Sequence, residues 1–213
     1  MELVPRGQAR REEGPNENGH YVCRRCLAVI HGKVRTSDLL FGNTLMNITL
    51  SEAVTAIEQT VIHPEKGLQP EVFRLITKLT PMINVDLLIK NETGETLLTW
   101  REETLCEPGW HIPGGIIRFE EPIEHRIHAV AETELRSDVD FSPAPLSVTE
   151  FILPDQEYRN HFISLLYRCR LLKPLPRFLH CSDLKHPQNG EYAWFSSPPE
   201  NLLKVHKKYR SFF

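Results

Sequence analysis

The sequence predicts a mixed α/β domain, a β-sheet sandwiched between helices, with an N-terminal helical extension. Three observations carry this. Apolar runs of strand length recur from about residue 83 to 195; one amphipathic helical stretch at 122–136 interrupts them; two further helical patterns precede the first strand. The chain has 213 residues, enough for one substantial domain plus extra N-terminal material. Forty per cent of them are hydrophobic and 25% charged, an ordinary globular composition.

Composition also narrows the function classes. A net charge of -3 argues against a nucleic-acid binder that works by bulk electrostatics. No apolar run approaches the roughly 20 residues that span a bilayer, and no signal-peptide pattern opens the chain. The five cysteines, an odd number, fit a reduced compartment. A cytoplasmic protein, with neither nucleic acid nor membrane as its partner, is expected.

Residues 1–45 read as an irregular tail. The first 19 are rich in Arg, Glu, Gly, Asn and Pro and cannot bury a core. Cys23 and Cys26 form a Cys-x-x-Cys pair, with His20 and His31 available to complete a tetrahedral zinc site. That spacing is unusual, and two free thiols in a tail or hairpin is the preferred reading. Residues 46–80 read as a helical hairpin. Ser51 suits an N-cap, with Ala53, Val54, Ile57 and Val61 on one face. A turn at 64–67 leads to a second helix from Pro70 through Phe73, Ile76 and Leu79, stopped by Pro81.

Residues 81–213 read as the main domain. Ile83–Ile89 is a buried strand, Asn91–Gly94 a turn, and 95–100 the returning strand. A glycine run at 114–115 leads into the helix of 122–136, whose stripe is Ile123, Ile127, Val130 and Leu135. Strands are expected at 146–153, 160–171 and 191–195. A last helix is expected from near Pro199, ending in a solvated run that includes Lys207, Lys208 and Arg210.

The chemistry concentrates in Trp110-His111-Ile112-Pro113-Gly114-Gly115 and the helix that follows. Two glycines after a proline allow tight backbone geometry, and Glu120 and Glu121 stand where a helix dipole favours negative charge. Glu134, one turn after Val130, can reach back toward the glycines.

This stretch resembles the Nudix hydrolase signature: Gly, five residues, Glu, seven residues, then Arg-Glu-apolar-x-Glu-Glu-x-Gly-apolar. Gly115 and Glu121 match its loop. In the helix Ala129, Val130 and Thr133 replace Arg, Glu and Glu; Glu134 is kept; Arg136 replaces the Gly. These departures are most similar to the GDP-mannose mannosyl hydrolase branch. Asn84-Val85-Asp86, Thr99-Trp100-Arg101, Asn160-His161-Phe162 and Glu191–Phe195 follow that branch's order, so the resemblance covers about residues 80–205.

The resemblance implies a Nudix fold and a homodimer. It also implies a Mg²⁺-dependent hydrolase (Mn²⁺ being the other candidate) that releases nucleoside diphosphate and free sugar from a nucleotide sugar, by attack at the anomeric carbon. The metal would sit on Gly114, Gly115 and Glu134. Arg101 would neutralise the leaving diphosphate, Asp86 would stand near the reaction centre, and His186 would be the base. Arg118 and Arg126, with Glu121, would serve the phosphates in place of two family arginines replaced by Ile116 and Ala129. A pyrophosphohydrolase and a non-catalytic nucleotide-sugar-binding domain are the alternatives. For other groups the plain reading is preferred: His161 as packing, His125 and His128 as solvated, Trp110 as core, and Cys106, Cys169 and Cys181 as structural.

Overall fold

The computed structural model describes residues 48–102, 107–154 and 156–213. Cys23, Cys26, His20, His31 and Cys106 lie outside the described residues.

Helix α1 spans Leu50–Thr60, and its N-cap is Thr49 rather than Ser51. The reason is the capping box: the Glu52 amide donates to Thr49 Oγ1 at 3.2 Å, and the Thr49 amide donates to the Glu52 carboxylate at 2.7 Å. A cap at Ser51 would put Val54 at the reciprocal position, with nothing to accept. Helix α2 spans Pro70–Leu79 with proline in its first turn. It meets the loop after residue 156 through two cation–π contacts, Arg74 over Tyr158 at 5.5 Å and Arg159 over Phe73 at 5.9 Å.

Strand β1 (Met82–Ile89) is the axis of the larger sheet. It runs parallel to β7 (His161–Leu171) and antiparallel to the short β4 (Gly114–Ile116). The far edge of β7 takes β6 (Ser147–Ile152) along its first half and β5 (Val139–Phe141) along its end. A second, antiparallel sheet has the order β3-β2-β8, from Gly109–His111, Thr96–Arg101 and Tyr192–Phe195.

Both faces of β1 are covered, which explains why its last three residues, Leu87–Ile89, are apolar without alternation. Val85, Leu87 and Ile89 pack with Ile127, Val130 and Leu135 of helix α3 (Ile123–Leu135). Leu88 packs on the opposite side with Leu98, Trp110, Phe151 and Tyr209. Asp86, two residues before Leu88, projects to that second side by the period of the strand. Trp110 is core, edge-on to Trp100 at 5.4 Å and to Phe195 at 5.0 Å.

The last helix differs from expectation. It is a 3₁₀ helix over Lys204–Phe212, not a helix from Pro199. Residues 201–203 are held extended beside β3: the Trp110 amide donates to Asn201 O at 3.0 Å, and the Leu203 amide to Trp110 O at 2.9 Å. The three-residue period then turns His206 and Tyr209 inward while Lys207, Lys208 and Arg210 face water. The basic run is therefore the outer face of an anchored helix rather than a wholly solvated end.

Candidate functional site

A cavity of about 330 Å³ opens where the ends of β1, β2, β3 and β4 meet the C-terminal helix. Its wall carries Asp86, Arg101, His111, Gly114, Gly115 and His206, and residues 156–159 form a rim. A larger hollow of about 700 Å³, beside Lys90, Arg168 and Phe213, contains none of these groups.

Asp86 is buried, 4% exposed. Ser164 Oγ and Tyr209 Oη both donate to its Oδ2, the latter at 2.8 Å. Burial pushes the carboxyl up to about 6, against the two hydrogen bonds and the nearby His111; the negative charge of Glu134 adds to the rise. Its Oδ1 faces the bare α-carbon of Gly114. A side chain there would begin 2.2 Å from Oδ1 and 2.9 Å from Val85 O, so glycine is what leaves this oxygen uncovered. Gly115 is needed on its other side, where a Cβ would come within 2.9 Å of Val130 in α3.

Glu134 reaches back from α3 as its position suggested. Thr99 Oγ1 donates to it at 3.0 Å and the Gly114 amide at 3.2 Å; His111 Nε2 lies at 3.1 Å and Arg101 Nη2 at 3.5 Å. Burial would raise this carboxyl, but His111, Arg101 and the Gly114 amide outweigh it and hold it below the ordinary glutamate range.

This donor set does not fit a divalent cation. Gly114, Gly115 and Glu134 are indeed neighbours, but both Glu134 oxygens face hydrogen-bond donors, two of them on basic side chains. A hard cation needs several oxygen ligands turned toward it. Among the described residues no three His, Cys, Asp or Glu side chains are grouped to hold one. Glu132, the next helix carboxylate, is exposed.

The other expected site residues are placed elsewhere. Arg126 is buried in a bidentate pair with Glu121, both contacts at 2.8 Å, and Glu121 also accepts from the Arg118 amide at 2.9 Å. These groups clamp the loop that leads into α3. The Arg118 guanidinium extends to Glu65 O at 3.4 Å. His186 is 78% exposed and paired with Asp183 at 2.8 Å. Its loop is fixed near the end of β2, where the Glu102 amide donates to Asn189 Oδ1 at 2.9 Å, but the imidazole does not line the cavity. His161 pairs with Glu150 at 3.2 Å and His128 with Asp138 at 2.6 Å, both at the surface.

Four groups gain a place in the site that the sequence did not suggest: Thr99, His111, His206 and Tyr209. His111 stood inside the glycine motif, and its pairing with Thr99 follows from the β2–β3 register, Thr99 opposite His111. His206 and Tyr209 were legible only as a three-residue spacing hidden among lysines.

No family model matches the chain. The low-salt glycan biosynthesis protein Agl8 of Haloferax volcanii is 32% identical over 76 residues, which cover 36% of this chain. The matched segment is 48% of that protein, so the chain spans about half the length of this curated relative. Among solved structures, a MutT Nudix hydrolase from Burkholderia pseudomallei is 18% identical, covers 62% of this chain and 97% of its own, and has a TM-score of 0.47. A MutT protein from Methanosarcina mazei is 20% identical, with coverage of 62% and 91% and a TM-score of 0.47. No described helix is long and apolar enough to cross a membrane.

Proposed function

We propose that this chain is a Nudix-type hydrolase of a nucleoside-diphosphate sugar, of the GDP-mannose kind, acting at the anomeric carbon. The observation that carries the reading is a buried carboxyl with its midpoint at about 6, Asp86, in the same cavity as the Arg101 guanidinium. A base of that strength is mainly ionised at neutral pH and still accepts a proton readily. A guanidinium fork suits the oxygens of a departing diphosphate.

In this reaction the water oxygen bonds to the anomeric carbon as the bond from that carbon to the diphosphate breaks. The electron pair leaves with the nucleoside diphosphate. The water proton passes to Asp86 and then to solvent. Oδ2 is held by Ser164 and Tyr209, and Oδ1, beside Gly114, takes the proton. Asp86 takes the role that the family resemblance gives to His186. Attack at phosphorus draws on clustered helix carboxylates and several metal ions; the single guanidinium beside Glu134 among the described residues, that of Arg101, suits carbon attack better. No step is assigned to Mg²⁺.

One observation favours a second reading, a binding domain without turnover: Glu134 and Arg101 already neutralise each other in part. Product analysis separates the readings. A panel of nucleotide sugars is incubated in ¹⁸O-labelled water. Label in the free sugar with unlabelled nucleoside diphosphate supports carbon attack. Label in a phosphate product assigns the chain to pyrophosphohydrolases. Saturable binding with no product across the panel leaves the binding domain.

A further inference from the structure

We infer that His206 is a fixed hydrogen-bond donor of this cavity, presenting its Nε2–H to an oxygen of the bound ligand, a phosphate oxygen or a sugar hydroxyl. The inference rests on the proposed reading only in that an oxygen-bearing ligand occupies the cavity.

The geometry of the C-terminal helix carries it. The Ile112 amide donates to His206 Nδ1 at 2.7 Å. A ring nitrogen that accepts from an amide carries no proton, so in the neutral ring the proton is on Nε2. Among the described residues the ring makes no other hydrogen bond, and His206 lines the cavity beside Arg101 and His111.

Neutrality is secured from several sides. Burial disfavours the imidazolium, and the neighbouring His111 and Arg101 oppose a further positive charge; together they hold His206 well below the ordinary histidine range. Tyr209, whose ring centroid lies 5.7 Å away, is held protonated by burial and by Asp86. The ring therefore remains a donor without titrating.

The position of the helix is equally constrained. Residues 201–203 bond to both sides of Trp110, and His206 takes the next outward amide, that of Ile112. Ile112 lies two residues before Gly114. The donor is thus registered to the glycine turn that exposes Asp86. A pH-independent donor beside Arg101 complements it: the guanidinium supplies charge, the imidazole direction.

Two experiments test this on the full chain. Long-range ¹H–¹⁵N spectra of the wild type should show His206 as the neutral Nε2–H form throughout about pH 5 to 8. Nδ1–H, or protonation within that range, would overturn the inference. On saturation with GDP or UDP, the Nε2 proton and the Gly114 amide should both shift. Movement of Gly114 alone would refute the donor role while sparing the ligand reading; movement of neither would remove both. His206→Asn keeps an acceptor for the Ile112 amide but has nothing at Nε2. It should weaken nucleoside-diphosphate binding about tenfold, the usual loss of a hydrogen bond to a charged oxygen. His206→Gln can place an N–H there but lacks the acceptor for the Ile112 amide, and should recover part of that loss. Equal binding by both variants and the wild type would sink the proposal.

Discussion

Replacing Asp86 by Asn should make the protein more stable and less active. The carboxyl is held at about 6 in the folded chain against an ordinary value of 3.8. The folded state therefore binds this proton more tightly than the unfolded state does. Stability is highest below the unfolded value and is lost as pH rises through about 6. The difference of 6 and 3.8 is about 2.2 units, worth about 3 kcal/mol at 1.36 kcal/mol per unit. Asn resembles the neutral acid and still accepts from Ser164 and Tyr209. At pH 7.5 the variant should gain about 3 kcal/mol, a rise in Tm of roughly 6–12 °C for a domain of this size. At about pH 3 or below the gain should nearly vanish, because the wild-type group is then largely protonated in both states. Thermal melts and urea titrations at the two pH values measure this, and the acid limb of the turnover profile, centred near 6, should disappear in the variant. A variant less stable than wild type at pH 7.5, or a gain of equal size at both pH values, would refute the electrostatic account of Asp86.

Other outcomes follow from the same geometry. Gly114→Ala should abolish turnover and destabilise the fold by about 1–3 kcal/mol, since its Cβ would overlap Asp86 Oδ1 and crowd Val85 O; an active, stable Ala variant would show that the loop yields. Arg136 ends α3 in the left-handed region, φ 50, where the Nudix signature has Gly. Arg136→Gly should therefore stabilise by about 0.5–1 kcal/mol in denaturant titration, and a loss would mean the Arg side chain contributes a contact of its own. Glu121→Ala leaves the Arg126 guanidinium buried without its bidentate partner and should cost about 3–5 kcal/mol; a loss below about 1 kcal/mol would show the pair to be solvated. Mn²⁺ titration followed by paramagnetic resonance should show no site tighter than about millimolar, because the Glu134 oxygens face donors. Stoichiometric binding lost in Glu134→Gln would overturn that account.

The longer elements were legible because each carries enough repeats of its pattern. β1 is an apolar run of strand length, and α3 shows its buried stripe at Ile127, Val130 and Leu135. β3, β4 and β5 have three residues each, too few for any period to register. Thr49 was recoverable, since its Glu52 lies at capping-box spacing while Ser51 has no such partner. Asp86, Arg101, Gly114 and Gly115 line one cavity, and Glu134 bonds to Arg101 and Gly114 beside it. Arg126 lies beside Gly115, but its guanidinium is held by Glu121 in the loop before the helix. His206 was hidden because its neighbours in sequence are lysines, and a three-residue period inside a basic run reads as solvated charge.

The bond between Tyr209 and Asp86 joins residues 123 positions apart. A contact of that separation closes after most of the chain between its ends has collapsed, since long loops resist closure until local structure has shortened them. Contact order therefore predicts that the C-terminal wall of the cavity closes late in folding, after the sheets exist. A partly folded chain would have its core strands and the Gly114–Gly115 segment but an unfinished cavity.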